Sequence, residues 1–374
     1  MKIRYFDHSA TTPVDRRVLE KMLPYFSQEY GNPSSIYSLG KKNKEIINIY
    51  RMKIANALNC KVNEIYFTSC GSESDNMILK GIAGATNKNH IITSTIEHPA
   101  ILNTCRSLEK IGYKVTYINP KQNGIIDPID VENKITRNTF LISIMFANNE
   151  IGTIQPIYEI GKIARKYNLY FHSDCVQAAC SEKIDVKKYN LGAISLSSHK
   201  FYGPKGVGVA YINENIPFIR IQDGGHQEKN KRAGTENVPG IVGTGEALEL
   251  AIKEMNENNT YIRNLRNYFL KELANKFKNV RINGDIDRRL PGNANIVFEG
   301  FDGGMILEEL DKKGICASSG SACSAGLLNP SHVLLAIGLP NSLAKSSLRI
   351  TFGKDNTFED VDFLIKSLEE IIKK

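Results

Sequence analysis

The chain has 374 residues, enough for a substantial core and for one large and one smaller domain. Apolar residues make up 41% and charged residues 24%, the proportions of an ordinary soluble globular protein. The net charge of +8 is spread over scattered lysines with no basic run interleaved with aromatics, which argues against nucleic acid and leaves anionic metabolites or an acidic partner protein.

The first residues, Met1 to His8, show no apolar leader and no cleavage site, and no apolar run approaches the roughly 20 residues needed to span a bilayer. The seven cysteines are odd in number and form no Cys-x-x-Cys pair, which speaks against a disulfide framework or zinc ribbon. A reducing, cytoplasmic setting without membrane or resident metal is the expectation.

Ala10-Thr11-Thr12-Pro13 reads as a turn, and Val18, Leu19, Met22 and Leu23 have helical spacing. Gly31-Asn32-Pro33-Ser34-Ser35 breaks that pattern before a second helix from about Ser38 to Leu58. A strand at Glu64–Thr68, a turn at Ser69–Ser72 and a helix from Glu73 to Ile82 follow, with Ser72 and Asp75 at capping-box spacing. Further apolar strands are predicted at His90–Thr93, Lys114–Ile118, Phe140–Phe146, Leu169–Ser173, Ala193–Ser197 and Val207–Ile212. Helical patterns separate several of them, at Ala100–Ile111, Asp127–Ile135 and Tyr158–Tyr167. Strands that are apolar throughout and alternate with helices predict an α/β fold, a mostly parallel seven-stranded sheet covered on both faces. Beyond a long helical stretch from Ile241 to Lys276, the predicted order is a strand at Asn295–Phe298 and a helix at Met305–Lys313. A loop at 317–329, a helix at Ser331–Ile337, a strand at Leu348–Thr351 and a helix at Thr357–Ile372 complete a smaller α+β unit. The expected division is a large domain over 15–255 and a small one from 1–14 and 256–374.

In such sheets ligands sit beyond the carboxyl ends of the strands, so the residues just after each strand carry the chemistry. Cys70-Gly71-Ser72 opens a helix and offers backbone N–H groups and a hydroxyl to a phosphate, with an ordinary cap as the bland alternative. Pro99 keeps His98 out of helical geometry and leaves its imidazole on a loop, to stack on a ring or move protons. Asn148-Asn149-Glu150 follows a buried strand, where an amide could meet a phenolic oxygen or merely form a turn. Asp174 ends an apolar strand and needs a cationic partner, for which a protonated pyridine nitrogen would serve. One βαβ unit later comes Ser197-Ser198-His199-Lys200 before a Gly/Pro turn, the setting for a nucleophilic amine that takes a carbonyl as a Schiff base. An acidic strand end followed by Ser-x-His-Lys points to pyridoxal phosphate. Cys323, in a loop of tiny residues, is a candidate reactive thiol. Arg349 is a candidate carboxylate clamp, with a rim ion pair as its alternative.

Taken together, these segments resemble the cysteine desulfurases, fold-type-I pyridoxal-phosphate enzymes. The resemblance runs from Asp7-His8-Ser9-Ala10-Thr11-Thr12-Pro13 through Arg232-Ala233-Gly234-Thr235-Glu236-Asn237 and Ser318-Ser319-Gly320-Ser321-Ala322-Cys323 to Ser346-Ser347-Leu348-Arg349. The last cysteine-bearing run looks like the family branch with the longer, mobile loop. The resemblance implies that Lys200 binds the cofactor aldehyde, Asp174 faces the pyridine nitrogen, Gln177 bonds the phenolic oxygen and His98 stacks on the ring. It implies phosphate contacts from Gly71, Ser72, Ser197 and His199, with Thr235 supplied by a second subunit of a homodimer. Asn149 would contact cofactor or substrate, and Asn32 and Arg349 the carboxylate of L-cysteine. Cys323 would take the sulfur as a persulfide and pass it to a protein acceptor such as an iron–sulfur scaffold, transiently meeting a cluster there. Two departures stand out: Cys70 where a glycine is common and Ser72 for a usual threonine, and the run 224–231 with His226 and lysines for glycine and arginines. Selenocysteine lyase chemistry, and a non-catalytic sulfur-assembly platform, are the alternative readings.

Overall fold

The computed structural model describes residues 2–319 and 330–373, so Cys323 lies outside the described residues. The described strands run β1 (Arg4–Tyr5), β2 (Ile65–Thr68), β3 (His90–Ser94), β4 (Lys114–Ile118), β5 (Thr139–Ser143) and β6 (Tyr170–Asp174). They continue as β7 (Ala193–Ser197), β8 (Gly208–Ile212), β9 (Val280–Asn283), β10 (Asn293–Phe298), β11 (Ile315–Cys316) and β12 (Ser347–Thr351).

Seven of these form the central sheet in the order β2-β8-β7-β6-β5-β3-β4. Strands β3 to β7 pair in parallel, and β8 is antiparallel to both β2 and β7. This is the mixed, mostly parallel sheet expected of fold type I. Strands β2, β3, β5, β7 and β8 are buried at every residue because helices cover both faces, which is why the sequence shows runs instead of alternation. One face packs Ile92, Ile142, Ile194 and Val209 with the helices Ser38–Leu58 and Val238–Lys253, and the other packs Ile91, Leu141 and Ala210 with the helix Gly71–Ala83.

A second core gathers Phe6, Leu265, Phe269, Ile296, Leu348, Ile350, Leu364 and Leu368. It lies over the three-stranded antiparallel sheet β12-β10-β9 and is closed by the C-terminal helix Phe358–Ile372. No helix among the described residues is long and apolar enough to cross a membrane.

Three local expectations need correction. The Ser72–Asp75 capping box does not form: the helix begins at Gly71 with Cys70 as its N-cap, and the Asp75 carboxyl turns inward to accept from Ser195 Oγ. The helix predicted over 241–276 is two helices, Val238–Lys253 and Met255–Lys276, parted at Glu254, whose carboxylate is held by Arg17. Strand β9 is not predicted by the sequence pattern, because only one of its four residues is buried.

Candidate active site

Parallel register sets the two central residues side by side. Asp174 is the last residue of β6 and pairs with Ser195 of β7, so the turn after β7 that carries Lys200 begins next to the Asp174 carboxylate. A cavity of about 260 Å³ opens there, walled by Gly71, Ser72, His98, Asn149, Asp174, Gln177, Ser197, His199, Lys200 and Arg349. The geometry thus brings together all but three of the residues singled out above.

Each wall residue is held by its own contacts. Lys200 Nζ donates to the carbonyls of Ser9 (2.6 Å) and Ala10 (2.7 Å), which hold the amine at the cavity edge. The buried Asp174 accepts from Val176 N at 2.9 Å; burial raises its pKa, only partly offset by the neighbouring His98 imidazole, the Val176 amide and Lys200. His98 is extended (φ −60°, ψ 147°), as the following proline requires, and caps the helix Pro99–Glu109. Its Nδ1 accepts from Ala100 N at 3.1 Å, which leaves Nε2 as the ring nitrogen for other chemistry. Burial lowers the pKa of His98 and takes that of His199 down to about 4, so both rings are neutral near physiological pH. His199 Nδ1 lies 3.0 Å from Thr11 Oγ1, and Gln177 Nε2 donates to Ser9 O at 2.9 Å.

Arg349 is buried on β12. Its Nη2 donates to Asp7 at 2.9 Å and its Nη1 to the carbonyl of Asn149 at 3.3 Å, while Nε has no partner among the described residues. A buried guanidinium with an open N–H suits a carboxylate ligand better than a rim ion pair does.

Asn32 and Thr235 stand outside this cavity in the same chain. Asn32 is exposed and its side chain accepts from Ser34 N within its own turn. Thr235 is exposed on the loop before the helix Val238–Lys253. That loop is anchored upstream, where Glu228 is buried against Arg51 at 2.6 and 2.7 Å, and Glu228, Lys229 and Asn230 all take left-handed backbone angles. Cys323 lies outside the described residues.

Sequence reasoning missed a second buried carboxyl in the wall. Asp75 accepts from Ser195 Oγ and lies 3.6 Å from Nε2 of the buried His172, whose Nδ1 is 2.9 Å from Ser143 Oγ. Burial, with the charge of Asp174 nearby, pushes the Asp75 pKa well up, and burial takes His172 down to about 3. Burial raises both carboxyls, and the neighbouring Asp174 adds to the upward push on Asp75. The signal was present: Asp75 shares a helical face with Ile78, Leu79 and Ile82, all buried.

The residues fit a pyridoxal phosphate. The first-turn N–H groups of the helix Gly71–Ala83, with Ser72 and Ser197 hydroxyls and His199, make an anion site at one end of the cavity. A Cβ at Gly71 would meet Val176 Cγ2 at 2.8 Å, so a glycine is needed for the backbone to come this close. The same cavity holds the Asp174 carboxylate and the Lys200 primary amine.

Comparison with known proteins agrees with this geometry. The class-V aminotransferase family profile matches residues 4–364. Cysteine desulfurase IscS of Clostridium botulinum (strain Hall) is 50% identical over 99% of this chain and 94% of its own. Cysteine desulfurase IscS of Methanosarcina thermophila is also 50% identical, over 100% and 93%. Among solved structures, a NifS-like protein superposes with a TM-score of 0.94 at 37% identity, covering all of both chains. SspA in complex with cysteine superposes at 0.83, with 38% identity over 95% of this chain and all of that one.

Proposed function

The chain belongs to the class-V aminotransferase family and is a pyridoxal-phosphate-dependent cysteine desulfurase, and on that premise we propose how its residues divide the work. The observation that carries the assignment is one cavity holding the Lys200 amine, the Asp174 carboxylate, a helix N-terminus and the Arg349 guanidinium. The cofactor, when bound, supplies an electron sink that stabilises negative charge on the substrate carbon skeleton. Lys200 would hold it covalently, Asp174 would bond its ring nitrogen, Gln177 its phenolic oxygen, and Gly71, Ser72, Ser197 and His199 its phosphate, with His98 against the ring.

Arg349 takes the carboxylate of L-cysteine through its unpartnered Nε–H, beside Asn149. Lys200 Nζ, already aimed across the cavity edge by the Ser9 and Ala10 carbonyls, removes the proton from the substrate Cα. The Cys323 thiolate attacks the substrate sulfur. An S–S bond forms, the Cβ–S bond breaks with its electrons left on the carbon skeleton, and protonation of that carbon gives alanine. His98 Nε2 moves protons between the sulfur atoms and the skeleton. Cys323 then bears a persulfide, which passes to a protein acceptor such as an iron–sulfur scaffold.

The active unit is a homodimer. Exposed Thr235 is suited to reach the phosphate of a second copy, and Leu19, Leu23, Phe26, Tyr30 and Ile36 leave large apolar side chains exposed along the N-terminal helices and the loop that follows them. The division into a cofactor domain over 15–255 and a small domain from 1–14 and 256–374 is supported by a core lying wholly in the small part, although Val333, Leu334 and Ile337 of that part pack into the large core. The six described cysteines are all free thiols, in keeping with a cytoplasmic setting.

Incubating the cofactor-loaded protein with labelled L-cysteine and mapping added mass tests the assignment. One extra sulfur on Cys323 is the expected result. Lys200→Ala should lose the visible cofactor band, whereas Cys323→Ala should keep the band and gain no sulfur. Sulfide release at the normal rate by Cys323→Ala would overturn the role given to that thiol.

A further inference from the structure

On either side of the run that carries Cys323, the chain is fastened to a strand and loops that bear site residues. On the near rim, Ser318 exchanges two backbone hydrogen bonds with Arg349, at 2.6 and 3.2 Å, so it hangs on the residue that clamps the substrate. On the far rim, Ser331 Oγ donates to the carboxyl of Glu150, and His332 Nε2 lies 3.0 Å from the carbonyl of Glu97.

Those two contacts land on loops that carry site residues. Glu97 precedes His98 and is fixed in turn, its carboxyl accepting from Ser94 Oγ and Met145 N. Glu150 follows Asn149, whose carbonyl accepts a hydrogen bond from Arg349 Nη1. Glu150 is 5% exposed, and burying a carboxyl there is costly for a residue that forms no part of the cavity wall. His332 likewise stands outside the wall. The sheet does not need the Glu150 side chain either, because Asn293 and Asn295 bond only its backbone carbonyl.

We propose that Glu150 and His332 are positioning residues for sulfur transfer: they tie the far end of the Cys323-bearing segment to the loops that carry Asn149 and His98. The inference rests on the reading of Cys323 as the thiol that takes the sulfur. The bonds made and broken are those already given; loosening the tie lowers the frequency with which the thiolate meets the substrate sulfur. Substrate binding and removal of the Cα proton do not involve the tie and keep their rates.

The test uses full-length, cofactor-loaded protein mixed rapidly with L-cysteine and two readouts. One is the change in cofactor absorbance, which follows binding and proton removal; the other is the mass gain at Cys323. His332→Ala should leave the absorbance phase unchanged and slow the mass gain about 3- to 10-fold, the factor carried by one lost hydrogen bond of this kind. His332→Gln, whose amide still donates to the Glu97 carbonyl, should restore the rate. Glu150→Ala and Glu150→Gln form the second pair, the glutamine keeping an acceptor for Ser331. Wild-type rates of mass gain in both alanine variants would overturn the proposal. So would equal slowing of both readouts without rescue by glutamine, the mark of a merely structural role. A wild-type protein that gains no sulfur at Cys323 would instead overturn the parent assignment.

Discussion

The loop before Thr235 depends on one buried ion pair, and its removal has a calculable cost. Arg51 and Glu228 have side chains 7% and 2% exposed, so water does not screen them and the small values typical of surface pairs do not apply. The guanidinium meets the carboxylate at 2.6 and 2.7 Å and also donates to the Ile65 carbonyl, while Phe67 N donates to Glu228. Arg51→Met leaves a buried carboxylate with that single amide, a loss of about 3–5 kcal/mol. For a chain of 374 residues this corresponds to about 4–6 °C in Tm. The double variant Arg51→Met/Glu228→Gln buries no charge and should recover much of the loss. Three successive left-handed residues, Glu228 to Asn230, are held in place by this anchor, so cofactor should dissociate faster from Arg51→Met. Thermal unfolding of the holoprotein and the rate of cofactor loss are the measurements. Equal destabilisation of the single and double variants would refute the reasoning, because the buried charge would then not be its cause.

Two further outcomes follow from burial at the site. Asp174→Asn keeps the shape but removes the charge, and should weaken cofactor retention about 10- to 150-fold, the range for one charge-assisted hydrogen bond of about 1.5–3 kcal/mol; absorbance titration with the cofactor measures it. Burial raises Glu97 to about 8 and Glu150 to about 7 from the usual 4.5. The folded chain therefore binds more protons than the unfolded chain between these values, and stability falls as pH rises through that window. Denaturant midpoints across pH should show the decline, and Glu97→Gln should flatten it; a rise in stability over the same window would contradict the burial of both groups.

What the sequence made legible was the part of the site written locally. Asp174 ends β6 and Lys200 follows β7, its parallel neighbour, so the strand reading brought them close, although turns and not the expected helix join the two strands. His98 was readable through Pro99, and Gly71 through its turn. Asp75 was misread because its spacing from Ser72 matched a cap, while its helical phase, shared with Ile78 and Leu79, pointed inward. The break at Glu254 carries no glycine or proline; the tertiary pair with Arg17 marks it, and no periodicity within 241–276 reveals that. Contacts between distant parts of the chain were illegible for the same reason: no local pattern encodes that Lys200 meets Ser9, 191 positions away, or that Arg349 meets Asp7 across 342.

Those distant contacts converge on one short stretch. Asp7 takes the guanidinium of Arg349, and Ser9 N donates to Thr351 at 3.0 Å on the same strand. The Ser9 and Ala10 carbonyls hold Lys200, and Thr12 bonds the His199 carbonyl through both its amide and its hydroxyl, at 2.9 and 3.0 Å. Within six residues the N-terminal segment therefore touches Arg349, Lys200 and the turn that carries His199. The distance from Arg349 to Lys200 is set by this strap as well as by packing between the two cores. A shift of the strap moves the Lys200 amine relative to the Arg349 guanidinium while leaving the large sheet intact. The polar, turn-rich opening of the sequence, which looks like a mere lead-in to the first helix, is thus the part that keeps binding and chemistry in register.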